Sequence, residues 1–210
     1  MGTEITIMRG HPMNEGARGE TEYNEKLIGY MEEILTSRGY DVYVHNHTVS
    51  SYGTRQDNMA SAVGQHQPHC KVVFEAHYNS YSDESAHGHE FLYGYTKSLA
   101  ESVQRAFTSK YPRSTPRSGG VKQVISGNGA GFLIKAPAAS LIAEPFFESN
   151  HEEWDFFKDR QYELALVYTE GIIDYLGDGG EPEPEPARPA EKTLEERVAI
   201  LEVKVAKLEE

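Results

Sequence analysis

Two histidines and two glutamates of this 210-residue chain fall where strands end or the following helix begins: His11, Glu22, His77 and Glu144. In an α/β sheet such positions meet outside the carboxyl ends of the strands. Two imidazoles and one carboxylate form a ligand set for zinc, with the fourth tetrahedral position left to water. A further carboxylate beside them, not ligated, would serve as general base, so the quartet points to metal-assisted hydrolysis. The ligands are scattered rather than held in a local motif, and spacing alone leaves an alternative. Glu15, four residues after His11, could take the place of Glu22. Glu20 and Glu25 read as solvated charges near a helix start, where they suit the helix dipole.

The elements that must position these residues alternate. Ile5-Thr6-Ile7-Met8 reads as a strand ending at His11, and a turn-rich loop follows to Gly19. Thr21 reads as the N-cap of a helix reaching about Arg38, with Gly39 past its end and Leu27, Met31, Ile34 and Leu35 on its apolar face. Tyr40 to Val44 is a second strand and Thr54 to Val63 a second helix. Lys71 to His77 is a third strand, apolar enough to be central. Glu90 to Tyr93 is a short strand, Thr96 to Phe107 a helix, and Ser114 to Gly131 a long loop. Ala138 to Ala143 is the last strand, ending at Glu144, and Asp159 to Leu176 the last helix. The pattern predicts an α/β fold with a mostly parallel twisted sheet flanked by helices.

Composition changes at Gly177. Residues 178–190 are a Pro/Glu-rich linker, expected to be extended. In residues 191–210, Leu194, Val198, Leu201, Val205 and Leu208 step by four and three as a heptad seam. Val at a and Leu at d, with Arg197 and Lys204 at g and Glu202 and Glu209 at e, predict a coiled coil joining copies of the chain. The net charge of −13 argues against nucleic acid as a partner. No segment approaches the ~18 apolar residues of a membrane span, and the first residues lack the basic and apolar regions of a signal peptide. Cys70 is the only cysteine, so no intrachain disulfide forms and the residue reads as a small buried apolar group.

Several stretches, taken in order, resemble the zinc N-acetylmuramoyl-L-alanine amidases of the third amidase family. Gly10-His11, Gly16-Ala17-Arg18-Gly19 and Glu22-Tyr23-Asn24 look like that family's opening GHGG…GA.G…E.N. Arg38-Gly39-Tyr40-Asp41-Val42 is similar to its RGY.V, and Arg55 with Ala60 to its R…A helix. Glu75-Ala76-His77-Tyr78-Asn79-Ser80 resembles S.H.N, Gly88-His89-Glu90 with Tyr93 resembles G.E..Y, and Ser98-Leu99-Ala100 loosely matches S..LA. Leu141 to Asn150 is similar to L.E..F.SN. The resemblance spans roughly residues 4–176. Departures surround the ligand set: Arg9 stands for an acid, Pro12-Met13 for a glycine pair, Glu75 for a small residue, and the loop from His11 to Glu22 is short.

The resemblance implies a catalytic domain over residues 1–177 binding one zinc ion through His11, Glu22 and His77, with Glu144 as catalytic carboxylate. The implied reaction is hydrolysis of the amide between N-acetylmuramic acid and L-alanine in peptidoglycan. With no signal peptide, it suggests a bacteriophage endolysin, made in the cytoplasm and acting on the wall after release. Asn79 is expected to orient the site, Lys122 to reach a substrate carboxylate, and His89, with His87, to contact substrate or a second metal. His45, His47, His66 and His69 are expected at the surface, and Phe146-Phe147 in packing. Two other readings stand beside this one. A zinc carboxypeptidase or deacylase of small N-acyl amino acids would want an arginine near the site, with Arg18, Arg55 and Arg117 as candidates. The other is a wall-binding module without catalysis.

Overall fold

The computed structural model describes residues 2–12, 15–47, 52–127 and 129–177. The linker at 178–190 and the heptad helix at 191–210 lie outside the described residues. Six strands form one sheet in the order β2-β1-β3-β6-β4-β5. They are β1 (Glu4–Arg9), β2 (Asp41–His45), β3 (Val72–Ala76), β4 (His89–Tyr93), β5 (Pro116–Gln123) and β6 (Ala139–Glu144). All neighbours are parallel except β4 and β6, which run antiparallel. The mostly parallel α/β sheet expected from the pattern is therefore present, with β4 and β5 reversed relative to the other four strands.

Alternation along the strands divides the core in two. Ile5, Ile7, Val72, Phe74, Leu141, Ala143 and Phe91 face one side. They pack there against α1 (Glu20–Ser37), α3 (Lys97–Lys110) and α6 (Gln161–Leu176), with α6 contacting both of the others. Met8, Val73 and Ile142 face the other side with Met59 and Val63 of α2 (Tyr52–His66) and Phe132 and Leu133 of α4 (Ala130–Lys135). Each large apolar side chain buried this way contributes roughly 1.5–3 kcal/mol. No described helix is long and apolar enough to cross a membrane.

β5 falls where a loop was expected, and the short helix after β6 in a stretch assigned no element. β5 pairs with β4 despite Pro116, Gly119 and Gly120, because it is an edge strand with a register shift opposite His89 to Phe91. Ser118, Gly119 and Gly120 all take positive φ there. A short helix, α5 (His151–Phe157), follows β6 and is capped by Asn150, whose side chain accepts from the amides of Glu152 and Glu153. The Glu153 carboxylate then accepts from the amides of Gly88 and Phe147 at 2.7 and 2.8 Å. It ties the segment after β6 to the segment before β4.

The topology fixes where chemistry can occur. From β1 the chain passes through α1 to β2 on one side, then through α2 to β3 on the other. The crevice between β1 and β3 is thus a switch point at the strands' carboxyl ends. His11 follows β1, His77 follows β3, and Glu144 closes β6.

Candidate metal centre

The crevice is closed by backbone bonds that continue the strand ladder. Gly10 N donates to Ala76 O at 2.9 Å and His77 N to Ala143 O at 3.0 Å. The imidazoles of His11 and His77 meet edge-on, with ring centroids 4.8 Å apart. The carboxylate between them belongs to Glu20, not Glu22. Its Oε1 lies 3.0 Å from His77 Nδ1 and its Oε2 3.6 Å from His11 Nε2.

Helix phase accounts for the difference. α1 starts at Glu20 after Gly19 in a left-handed conformation, two residues before the start implied by a Thr21 cap. Glu20 is 3% exposed and also accepts from Ala17 N and Tyr78 N. Glu22 is exposed, and its described contact is with the Thr21 hydroxyl. Two residues of helix turn the side chain through about 200°, so the two acids point to opposite sides. Glu25 sits at the surface near Arg9, and Glu15 lies 3.6 Å from Arg55.

Among the described residues, one group of at least three such side chains could hold a metal ion: His11, Glu20 and His77. Their ligand atoms all lie within 4.8 Å of one another. Zinc bonds of ~2.0–2.1 Å in a tetrahedron separate ligand atoms by about 3.3 Å, and the 3.0 and 3.6 Å distances bracket that value. Two glycines make the cradle. A Cβ on Gly10 would stand 1.9 Å from His77 Cε1 and Nε2, and one on Gly16 2.7 Å from both Glu20 Oε2 and His11 Cδ2. Gly16 also has a φ of +89°, which side chains rarely adopt. The donor set and its clearance fit zinc.

A Gly10→Ala substitution is therefore expected to displace the His77 ring. Zinc affinity should fall by an order of magnitude or more, with roughly 1–3 kcal/mol of stability lost to overpacking. Metal titration alongside thermal melting checks this, and unchanged affinity would show that the ring has room the structure denies it.

Charge is concentrated at this edge. Burial lowers the His11 pKa, with help from His77 and Arg55, leaving a neutral ring able to donate a lone pair. Burial alone would depress His77 too, but Glu20 and Glu75 on either side raise it well above the ordinary range. Glu75 is held at about 2 because His47 and His77 outweigh its burial. Glu144 is pushed up to about 7, chiefly by burial, with Glu20, Glu90 and Glu75 adding to it against the opposing effect of His77. Its Oε2 is buried and, among the described residues, has no hydrogen-bond partner.

The remaining candidates divide. Asn79 is joined through its backbone to the segment after β6, its N donating to Phe146 O and its O accepting from Glu148 N. Lys122 is 3.8 Å from Glu90, which also accepts from the Ser118 hydroxyl at 2.8 Å. His89 is not brought to the cluster. It is fully buried beside Phe91 and Phe107, bonded through Nδ1 to Ser114 Oγ, and driven by burial to about 4. His87 is exposed. His45 and His47, expected at the surface, are 7% and 4% exposed. Of the arginines, Arg18 is exposed and Arg117 lies over the Phe147 ring at 4.5 Å. Phe146 and Phe147 are buried in packing, Phe146 within the main core.

An α/β sheet carrying a His–Glu–His cluster and, at the same edge, a carboxylate with one buried oxygen unbonded among the described residues has the layout of a hydrolase. Residues 5–174 match the Amidase_3 family, N-acetylmuramoyl-L-alanine amidase, and the chain belongs to that family. No curated protein matches the sequence significantly. Solved structures share the fold. The N-acetylmuramoyl-L-alanine amidase AmiC2 of Nostoc punctiforme is 20% identical with a TM-score of 0.70, over 83% of this chain and 97% of that one. The CwlD amidase from Clostridioides difficile, solved with the GerS lipoprotein, is 17% identical with a TM-score of 0.71, over 85% and 100%. The catalytic domain of CD27L endolysin, targeting Clostridia difficile, is 20% identical with a TM-score of 0.68, over 82% and 97%.

Proposed function

We propose that this chain is a zinc-dependent peptidoglycan amidase that hydrolyses the amide between N-acetylmuramic acid and L-alanine, with His11, Glu20 and His77 as ligands and Glu144 as general base. Family membership supports the bond that is cut. The observation that carries the mechanism is the orphaned Glu144 Oε2 at the edge of a cluster able to hold a metal.

When bound, zinc would acidify a water and polarise the scissile carbonyl. The chain's own residues do the rest. Glu144, with its pKa near 7, takes a proton at Oε2 and returns it to the departing alanine amine. Glu20 holds its position through the Ala17 and Tyr78 amides, so the ligand set is fixed before substrate arrives. Glu90, directly opposite Glu144 in the antiparallel pair, keeps the base from ionising too readily.

The test is release of new L-alanine amino termini from purified peptidoglycan. Activity should disappear on exhaustive chelation and return with about one equivalent of zinc per chain. Release that survives chelation would overturn the metal role. Zinc binding without release would redirect the reading to a hydrolase of small N-acyl amino acids.

A further inference from the structure

Glu75 lies outside the ligand set, yet it is 2% exposed and its carboxylate sits between two imidazoles. Oε1 is 3.3 Å from His47 Nε2, and Oε2 is 3.7 Å from His77 Nε2. The other His77 nitrogen, Nδ1, is the one that faces Glu20 at 3.0 Å. The two nitrogens of His77 thus address two different carboxylates, one inside the ligand set and one behind it.

The backbone explains how this arises. Glu75 and His77 are two residues apart at the end of β3, which on extended chain puts them on the same side. Gly10, on the adjoining β1 side, leaves room for the His77 ring to lie flat in the crevice. His47 enters from beyond β2, the strand on the far side of β1, with its side chain wholly buried. Its ring is backed edge-on by His45 at 5.1 Å. A carboxylate on the outer nitrogen of a ligating histidine fixes the tautomer and the ring angle and raises ligand basicity.

We propose that Glu75, itself held by His47, is a positioning residue for His77: it faces Nε2 at 3.7 Å, within ion-pair reach, and thereby presents Nδ1 to the metal. The inference rests on the metal reading of the same cluster and adds a second layer behind one ligand.

Zinc affinity, measured by competition with a chromophoric chelator on the full chain, is the readout, with folding followed by circular dichroism. Glu75→Ala is expected to weaken zinc binding by about 10- to 100-fold. Glu75→Gln retains an oxygen that can accept from Nε2–H and should recover most of that loss. His47→Gln, one step further out, should cost less than Glu75→Ala. Should Glu75→Ala fail to fold, the Glu75→Gln and His47→Gln pair carries the comparison, with measurably weaker binding in His47→Gln expected. A merely structural role would lower the melting temperature of these variants and leave the affinity of the folded protein unchanged, and that result would overturn the proposal. Wild-type protein that binds no zinc would overturn the metal reading and this inference together.

Discussion

Glu144→Gln should retain zinc and lose on the order of 10³ of its turnover, the range expected for removing a positioned general base. The substitution keeps the shape of the side chain and removes its ability to take a proton. The structure places Glu144 at the last position of β6, with Oε2 buried and unpartnered among the described residues. Burial, with three other carboxylates nearby, brings its pKa to about 7, where a base can both accept and release a proton near neutrality. The same environment penalises the ionised form. The folded pKa lies above the unfolded value of 4.5, so above that pH ionisation of Glu144 costs the fold stability. Metal-free Glu144→Gln should therefore melt at a higher temperature than metal-free wild type at pH 7. Zinc content, amine release and a melt on one preparation test all three points. Turnover within tenfold of wild type would remove Glu144 from the role of base.

Glu20→Gln and Glu22→Gln should behave oppositely. Loss of an outer partner of a metal ligand already costs 10- to 100-fold in affinity, so loss of the charged ligand itself should cost more than about 100-fold. Glu22→Gln should stay within about twofold of wild type, because its carboxylate is exposed and its described contact is with Thr21 on its own helix. Glu20→Gln carries a further expectation. Its carboxylate accepts from Ala17 N and Tyr78 N, joining the loop before α1 to the residue after His77. Loss of charge weakens those bonds as well, and the start of α1 should exchange its amide hydrogens faster. A result in which Glu22→Gln loses the metal and Glu20→Gln keeps it would reverse the ligand assignment.

Which of these two acids points inward was within reach of the sequence. At 100° per residue, Glu20 lies about 20° from Leu27 around the helix and Glu22 about 140°. Leu27 belongs to the apolar stripe that faces the sheet, so the acid in phase with that stripe is the one directed inward. The Thr21 cap hid this by starting the helix too late. His89 carried a similar clue: in His89-Glu90-Phe91 it alternates with Phe91, and both are buried. Asn150 followed by Glu153 is a capping pattern, and it marks α5. β5 was legible only through its partner, since Pro116, Gly119 and Gly120 oppose a strand locally and edge pairing with β4 overrides them. β1, β3, β6 and α1 were readable because each buries an apolar set. The burial of His45 and His47 was not, because the Glu75 carboxylate near them comes from a strand two places away.

The reversal of β4 decides how much acid the crevice holds. Were β4 parallel to β6, Glu90 near its beginning would sit at the opposite edge of the sheet. Run backwards, it lands directly across from Glu144. Glu20, Glu75, Glu90 and Glu144 then crowd one rim, met by imidazoles, by Arg55 near His11 and by the distant end of Lys122. Such a rim behaves as a sink for positive charge, met by protons when no metal is present and by a divalent cation when one is. Protons and a divalent cation therefore compete to neutralise the same negative rim, and acidification should release metal well before it unfolds the sheet.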